Sequence, residues 1–98
     1  MLNIKIFTTN KYEKELKAMF ERGKSLNKML EVINLLLDNA SKGMQLHLLL
    51  PAQYRLQKLL GKYKNRWECH IEPDWLLIFY LDDEKLILER TGTHADLF

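Results

Sequence analysis

Four polar residues in the last third of the chain have the side-chain types of phosphoryl-transfer chemistry: His70, Asp74, Arg90 and His94. Imidazole titrates near neutrality, so it can give or take a proton at cellular pH. A guanidinium grips a phosphate through two parallel hydrogen bonds and stabilises a charged pentacovalent transition state. On RNA such a set needs no outside nucleophile. The ribose 2′-hydroxyl attacks its own phosphate once a base removes its proton, and an acid protonates the leaving 5′ oxygen. This chemistry requires neither a metal nor an organic cofactor. The simplest competing reading is a purely structural His–Asp hydrogen bond at a hairpin end. A zinc or iron site fits less well, because no His-x-x-x-His or clustered cysteine fixes its geometry. A Gly-rich phosphate loop and a Gly-x-Ser-x-Gly elbow are both absent from the sequence.

The elements that must position these groups are β-rich. Arg66 to Ile71 alternates, with Trp67, Cys69 and Ile71 on one face and Arg66, Glu68 and His70 on the other. Glu72-Pro73-Asp74 reads as a turn, Trp75 to Leu81 as an apolar central strand, and Asp82-Asp83-Glu84 as a second turn. Leu86 to Arg90 returns as a third strand, and Thr91-Gly92-Thr93 leads to His94. Hairpin topology then brings the Asp74 turn to the same end of the sheet as Arg90 and His94, so all four polar groups are expected to converge there.

Upstream, Leu2 to Thr8 reads as a strand. Asn10 is the expected cap of a first helix, with Glu13 as its reciprocal partner, and Gly23 ends that helix. Ser25 caps a second helix whose apolar stripe is Leu26, Met29, Leu30, Ile33, Leu36 and Leu37, and Asn39 to Gly43 stops it. Leu46 to Leu50 is a short strand or a loop packed on the core, and Gln53 to Lys64 an ordered loop with one helical turn at most. His47 reads as structural or incidental. The expected fold is α+β: one domain over residues 1–98, with a small antiparallel sheet built from the N-terminal strand and a C-terminal three-strand meander. A two-helix hairpin packs on one face and leaves the other face or its edge free for a site.

Composition narrows the class. The chain has 98 residues, 47% hydrophobic and 29% charged, the balance of a single globular domain. No apolar run approaches the ~20 residues of a bilayer span, and Asn3 and Lys5 interrupt the N-terminal apolar stretch, so neither membrane insertion nor a signal peptide is expected. The single cysteine, Cys69, reads as a small core residue in a reducing, cytoplasmic setting. Net charge is only +2, but residues 39–67 hold six basic groups (Lys42, Arg55, Lys58, Lys62, Lys64, Arg66) and no carboxylate, while residues 68–98 hold eight acidic and two basic groups. The acid-free block reads either as a surface for a polyanion or as a solvated basic loop.

The segment Arg66-Trp67-Glu68-Cys69-His70-Ile71-Glu72-Pro73-Asp74-Trp75, followed by Arg90-Thr91-Gly92-Thr93-His94-Ala95-Asp96-Leu97-Phe98, resembles the YafQ branch of the RelE/ParE toxin superfamily. The combination of His-x-Glu-Pro-Asp-Trp with Arg-x-Gly-Thr-His is far more specific than either half. The resemblance implies a RelE-like fold and a toxin of a type II toxin–antitoxin module. It implies a ribosome-dependent, metal-independent endoribonuclease that cuts mRNA in the A site. His94 would be the principal acid/base group, His70 and Asp74 the supporting proton-transfer and orienting groups, and Arg90 the phosphate clamp. Phe98 would stack on a base or close the site, and Trp75 would shape and support it. Arg55, Lys58, Lys62, Lys64 and Arg66 would face rRNA and mRNA phosphates, contacts that give affinity rather than sequence choice. The implied partner is a DinJ-like antitoxin with a DNA-binding N-terminal part, through which alone the toxin would meet operator DNA.

The sequence departs from that family at one point. Many relatives carry Asp-His before a Leu-x-Gly segment, where this chain has Leu56-Gln57. That loss predicts weaker activity, or activity shifted onto another histidine. It keeps open a second function, a weakened homologue that acts mainly as antitoxin-binding partner and operon co-repressor. A third reading, a ParE-like gyrase poison, shares the fold but generally lacks this histidine set.

Overall fold

Thr9 decides how the chain leaves its first strand. In the computed structural model, which describes residues 3–98, its hydroxyl accepts the Tyr12 N–H at 3.0 Å and donates to the Glu89 carbonyl at 2.7 Å. The cap is therefore Thr9 and not Asn10, which is the first helical residue. A cap one residue earlier serves both the helix start and the neighbouring strand. The strand β1 covers Lys5–Thr8, and the expected start at Leu2 lies outside the described residues. Helix α1 covers Asn10–Glu21 and α2 covers Leu26–Ser41. Gly23 between them takes φ +91°, a conformation open to glycine without a Cβ clash.

The buried stripe of α2 is Met29, Val32, Ile33, Leu36 and Ala40, a clean helical period. Leu26 and Leu30 were expected in that stripe and are instead exposed, so the buried face is turned toward Val32 and Ala40. Residues 44–65 form three short 3₁₀ turns, at Leu46–Leu48, Ala52–Tyr54 and Gly61–Tyr63, and a two-residue strand β2, Gln57–Lys58. Leu49, Leu50 and Tyr54 from this stretch are buried in the core, while His47 is exposed.

The meander follows as β3 Trp67–Glu72, β4 Trp75–Asp82 and β5 Lys85–Gly92, and a last helix α3 covers His94–Leu97. The sheet has five strands in the order β1-β5-β4-β3-β2. The α+β architecture with helices on one face is as expected, but β1 joins β5 in parallel, so the sheet is mixed rather than wholly antiparallel. Tyr12, Met19 and the α2 stripe pack against Cys69, Trp75, Leu77, Phe79, Leu86 and Leu88. Burying side chains such as Phe79 contributes about 1.5–3 kcal/mol each. Burial also pushes the Cys69 thiol pKa upward, which keeps it protonated and unreactive. The opposite face holds a smaller cluster of Leu76, Ile78 and Leu97, with Leu59 and Tyr63 against it. No helix among the described residues is long and apolar enough to cross a membrane.

Two irregularities set which side chains reach that second face. The β4–β5 register shifts so that Phe79 faces Leu88 while Ile78 faces Arg90. The extra residue, Glu89, makes a bulge. Without it Arg90 would stand opposite Leu77 and project into the helix-side core; with it, Arg90 shares the face of Ile78. A second shift lies between His70 and Glu72, where His70 faces Leu76 and Glu72 faces Trp75.

Candidate active site on the open face of the sheet

His94 opens α3, immediately after β5. The Asp74 carboxylate, in the β3–β4 turn, holds it twice through one oxygen: Oδ1 accepts the His94 backbone N–H at 2.9 Å and contacts its Nδ1 at 2.8 Å. The two bonds from His94 hold the Asp74 pKa below the usual carboxylate range, so it stays ionised. An ionised carboxylate only accepts, which puts the proton of His94 on Nδ1 and leaves Nε2 free.

His70 is arranged in the same way. Its Nδ1 lies 3.1 Å from the Pro73 carbonyl, which can only accept. Its Nε2 is therefore the free nitrogen too. The two rings lie 5.5 Å apart, centroid to centroid, at 52°. Each can act as base when neutral or as acid when charged. Phe98, exposed at the end of the chain, lies 6.3 Å from the His94 ring and meets Tyr63 edge-on at 5.8 Å.

Arg90 is drawn elsewhere. Its Nε and Nη2 bond the Glu15 carboxylate of α1, at 3.2 Å and 2.5 Å, and its Nη1 donates to the Tyr63 hydroxyl at 2.8 Å. The Glu15 bonds raise the Arg90 pKa, so the guanidinium is permanently charged. Arg90 thus connects to the histidines through Tyr63 and Phe98, and not by direct contact with Asp74. Trp75 is fully buried on the helix face. Its indole N–H donates to the Thr91 hydroxyl at 2.9 Å, which donates to the Leu76 carbonyl at 2.7 Å. It braces β4 against β5 from beneath and has no surface with which to touch a substrate.

Of the basic residues, Arg66 bonds Glu89 at 2.9 and 3.1 Å and lies over the Tyr80 ring at 3.9 Å. The ion pairs among the described residues include Arg66 and Lys42, but none of Arg55, Lys58, Lys62 or Lys64. Lys58 lies on the edge strand β2, Lys62 stands 5.3 Å from the Tyr63 ring centre, and Arg55 lines a small cavity together with His70. Three carboxylates of the acidic end segment pair with cations from other parts of the chain: Glu72 with Lys24 and Lys28, Glu89 with Arg66 and Asp96 with Arg22. Part of the charge segregated in the sequence is thus paired in space, while Arg55, Lys58, Lys62 and Lys64 stay outside the ion pairs among the described residues.

At positions 56 and 57 the two side chains part. Leu56 packs against the helix-side core, while Gln57 faces Glu68 across the β2–β3 pair and its amide donates to the Glu68 carboxylate at 2.5 Å. Glu68 stands opposite Ile78, on the same face as His70, and is only 4% exposed. Among the described residues no three His, Cys, Asp or Glu side chains are grouped to hold a metal ion. Tyr63, Glu15 and Glu68 were not legible as site neighbours. Tyr63 falls in a loop with no period, Glu15 on an ordinary polar helix face, and Glu68 at a position that alternation marks as solvated.

The fold is thus a mixed sheet with a helical hairpin on one side and an open face that carries two neighbouring imidazoles and an ionised aspartate. Residues 4–98 match the family described as bacterial toxin of type II toxin–antitoxin system, YafQ. The chain is 40% identical over 98 residues to the mRNA interferase toxin YafQ of Escherichia coli strain K12, covering all of this chain and 99% of the relative. Its fold superimposes on YafQ in the E. coli DinJ–YafQ toxin–antitoxin complex with a TM-score of 0.84, at 39% identity over 99% of each chain. YafQ from E. coli strain BL21(DE3) gives a TM-score of 0.84 at 37% identity, over 97% of this chain and 98% of that one. The chain belongs to the YafQ family of type II toxins.

Proposed function

We propose that this toxin cuts mRNA in the ribosomal A site, without a metal, by attack of a ribose 2′-hydroxyl on its own phosphate. The carrying observation is the pair of imidazoles 5.5 Å apart, each held through Nδ1 and each with Nε2 free. One takes the 2′-hydroxyl proton and the other protonates the 5′ oxygen, with His94 as the principal group and His70 as its partner. Asp74 orients His94 and stabilises its charged form. Arg90 stabilises the charge that develops on the phosphate, its guanidinium held ready by Glu15 and Tyr63. Phe98 stacks on a neighbouring base, and Trp75 supports the site from below. Arg55, Lys58, Lys62 and Lys64, with Arg66 behind them, meet rRNA and mRNA phosphates. A DinJ-like antitoxin with a DNA-binding N-terminal part inhibits the toxin in the cytoplasm and carries it to operator DNA.

A second reading, a catalytically weakened toxin that serves mainly as antitoxin partner and co-repressor, is favoured by one feature. Gln57 stands on the face of His70, where many relatives have a histidine, and its amide is engaged by Glu68. Expression in a bacterial host decides between the readings. The first predicts growth arrest, relieved by the cognate antitoxin and abolished by His94→Ala with antitoxin binding intact. Full antitoxin binding with no arrest and no cleavage of ribosome-bound mRNA supports the second.

A further inference from the structure

Helix α3 holds His94 and is followed directly by Phe98, yet it is only four residues long. A helix of that length has no stability of its own, so its direction depends on what ties it down. Leu97 is one anchor, buried against Leu76 and Ile78. Asp74 is another, acting on His94 itself. The third is Asp96, a residue with no part in the proposed proton transfers.

Asp96 is held from three sides. Its Oδ2 accepts the Thr93 N–H at 2.9 Å while its own N–H donates to the Thr93 hydroxyl at 3.2 Å, closing a capping box around the helix start. The same oxygen takes the Arg22 Nη1 at 2.7 Å, with Nη2 at 3.4 Å from Oδ1. On its inner side a Cβ on Gly92 would lie 2.9 Å from the Asp96 Cβ, so the strand end approaches this closely only because position 92 has no side chain. Arg22 is itself fixed at the C-cap of α1, with its Nη1 also 3.6 Å from the Met19 sulfur. Together with Glu15, two helical turns earlier, it lines a cavity between α1 and the end of β5 whose far wall is Thr91 and Asp96. From the α1 side, Glu15 thus takes Arg90 and the Thr91 N–H of β5, and Arg22 takes Asp96 of α3.

We infer that Arg22 is a positioning residue for His94: through Asp96 it ties α3 to α1 and so fixes where the His94 imidazole stands relative to His70. An exposed ion pair between two mobile side chains contributes little, but here the capping box and the Gly92 contact immobilise the carboxylate before the guanidinium arrives. The catalytic meaning rests on the RNA-cleavage reading above; the geometric claim does not.

The test compares the full chain with Arg22→Ala and Arg22→Lys in two measurements: ribosome-dependent mRNA cleavage and amide hydrogen exchange. Arg22→Ala is expected to lower kcat about fivefold, the rate equivalent of an ion pair of this class, with KM unchanged. Arg22→Lys is expected to recover most of that loss. The His94 amide, which bonds Asp74, should exchange faster in Arg22→Ala while the Met19 amide inside α1 does not. An unchanged His94 amide, or equal acceleration at Met19 and His94, overturns the proposal, since the first means no tie and the second general loosening. Lack of cleavage by the unmodified toxin refutes the RNA reading alone, and the exchange data still decide the role of Arg22.

Discussion

One oxygen of Asp74 accepts both the backbone N–H and the ring Nδ1–H of His94, at 2.9 and 2.8 Å, so a single carboxylate fixes the position and the tautomer of that histidine. Both Asp74 and the His94 side chain are more than half exposed, so the arrangement is held by geometry rather than by exclusion of water. Asp74→Asn keeps an acceptor for the backbone and loses the negative charge beside the ring. We expect kcat to fall about tenfold to a hundredfold, within the range for impaired acid–base catalysis, with antitoxin affinity unchanged. Because the Asp74 pKa is lowered, the group stays ionised until pH falls beneath the usual carboxylate range. A loss of rate above that range therefore does not come from Asp74, and the pH–rate profile of Asp74→Asn should keep it.

Asp96 links pH to stability. Bonds from Arg22, then from Thr93, lower its pKa from 3.8 to about 2. A carboxylate lowered on folding stabilises the native state above its unfolded pKa, and that contribution disappears as pH falls through the folded value. The window is therefore pH 4 down to 2. The pair is solvent-screened, so the contribution stays below about 1 kcal/mol. Urea unfolding at pH 7 and at the acid end should show Asp96→Asn less stable at pH 7 and equal to the parent below the window. A constant deficit across all pH would contradict the linkage.

Gly92 is a packing glycine, not a turn glycine. Its added Cβ would stand 2.9 Å from the Asp96 Cβ, a contact with a side chain locked in a capping box. Gly92→Ala should therefore move α3 and cost about 1–3 kcal/mol, as overpacking does. Thermal unfolding measures the cost, and loss of the His70–His94 ring contact by NMR measures the displacement.

The order of β1, the two long helices and the three meander strands was legible from periodicity, and the closeness of His70, Asp74 and His94 from hairpin topology, whereas β2 and α3 are too short to leave a period. Arg90 was harder. A one-residue bulge at Glu89 decides its face, and bulges leave no trace in hydrophobic alternation. Its partners Glu15 and Tyr63 come from a helix face and an aperiodic loop. Periodicity places Leu26 and Leu30 in the α2 stripe because several leucines in one helix define more than one apolar face, and tertiary contact selects the one with Val32 and Ala40. The parallel entry of β1 was hidden for a similar reason, since strand periodicity is the same in either direction.

Positions 56 and 57 should respond differently to Asp and His substitutions. Gln57 is on the face of His70, so Gln57→His adds an imidazole beside Glu68 and should raise cleavage. Leu56 packs on the core, so Leu56→Asp should destabilise the fold by about 1–3 kcal/mol without a gain in rate. Single-turnover cleavage and urea unfolding of the two variants separate these outcomes. A faster Leu56→Asp and an unaltered Gln57→His would reverse the assignment.

The central claim is that His94 drives RNA cleavage on the ribosome. An in vitro translation reaction with mapped mRNA ends, run with the toxin and with His94→Ala, tests it directly. The account predicts cuts within A-site codons for the toxin and none for His94→Ala, with both proteins folded and both binding the antitoxin. Cuts of equal number and position from His94→Ala would contradict it.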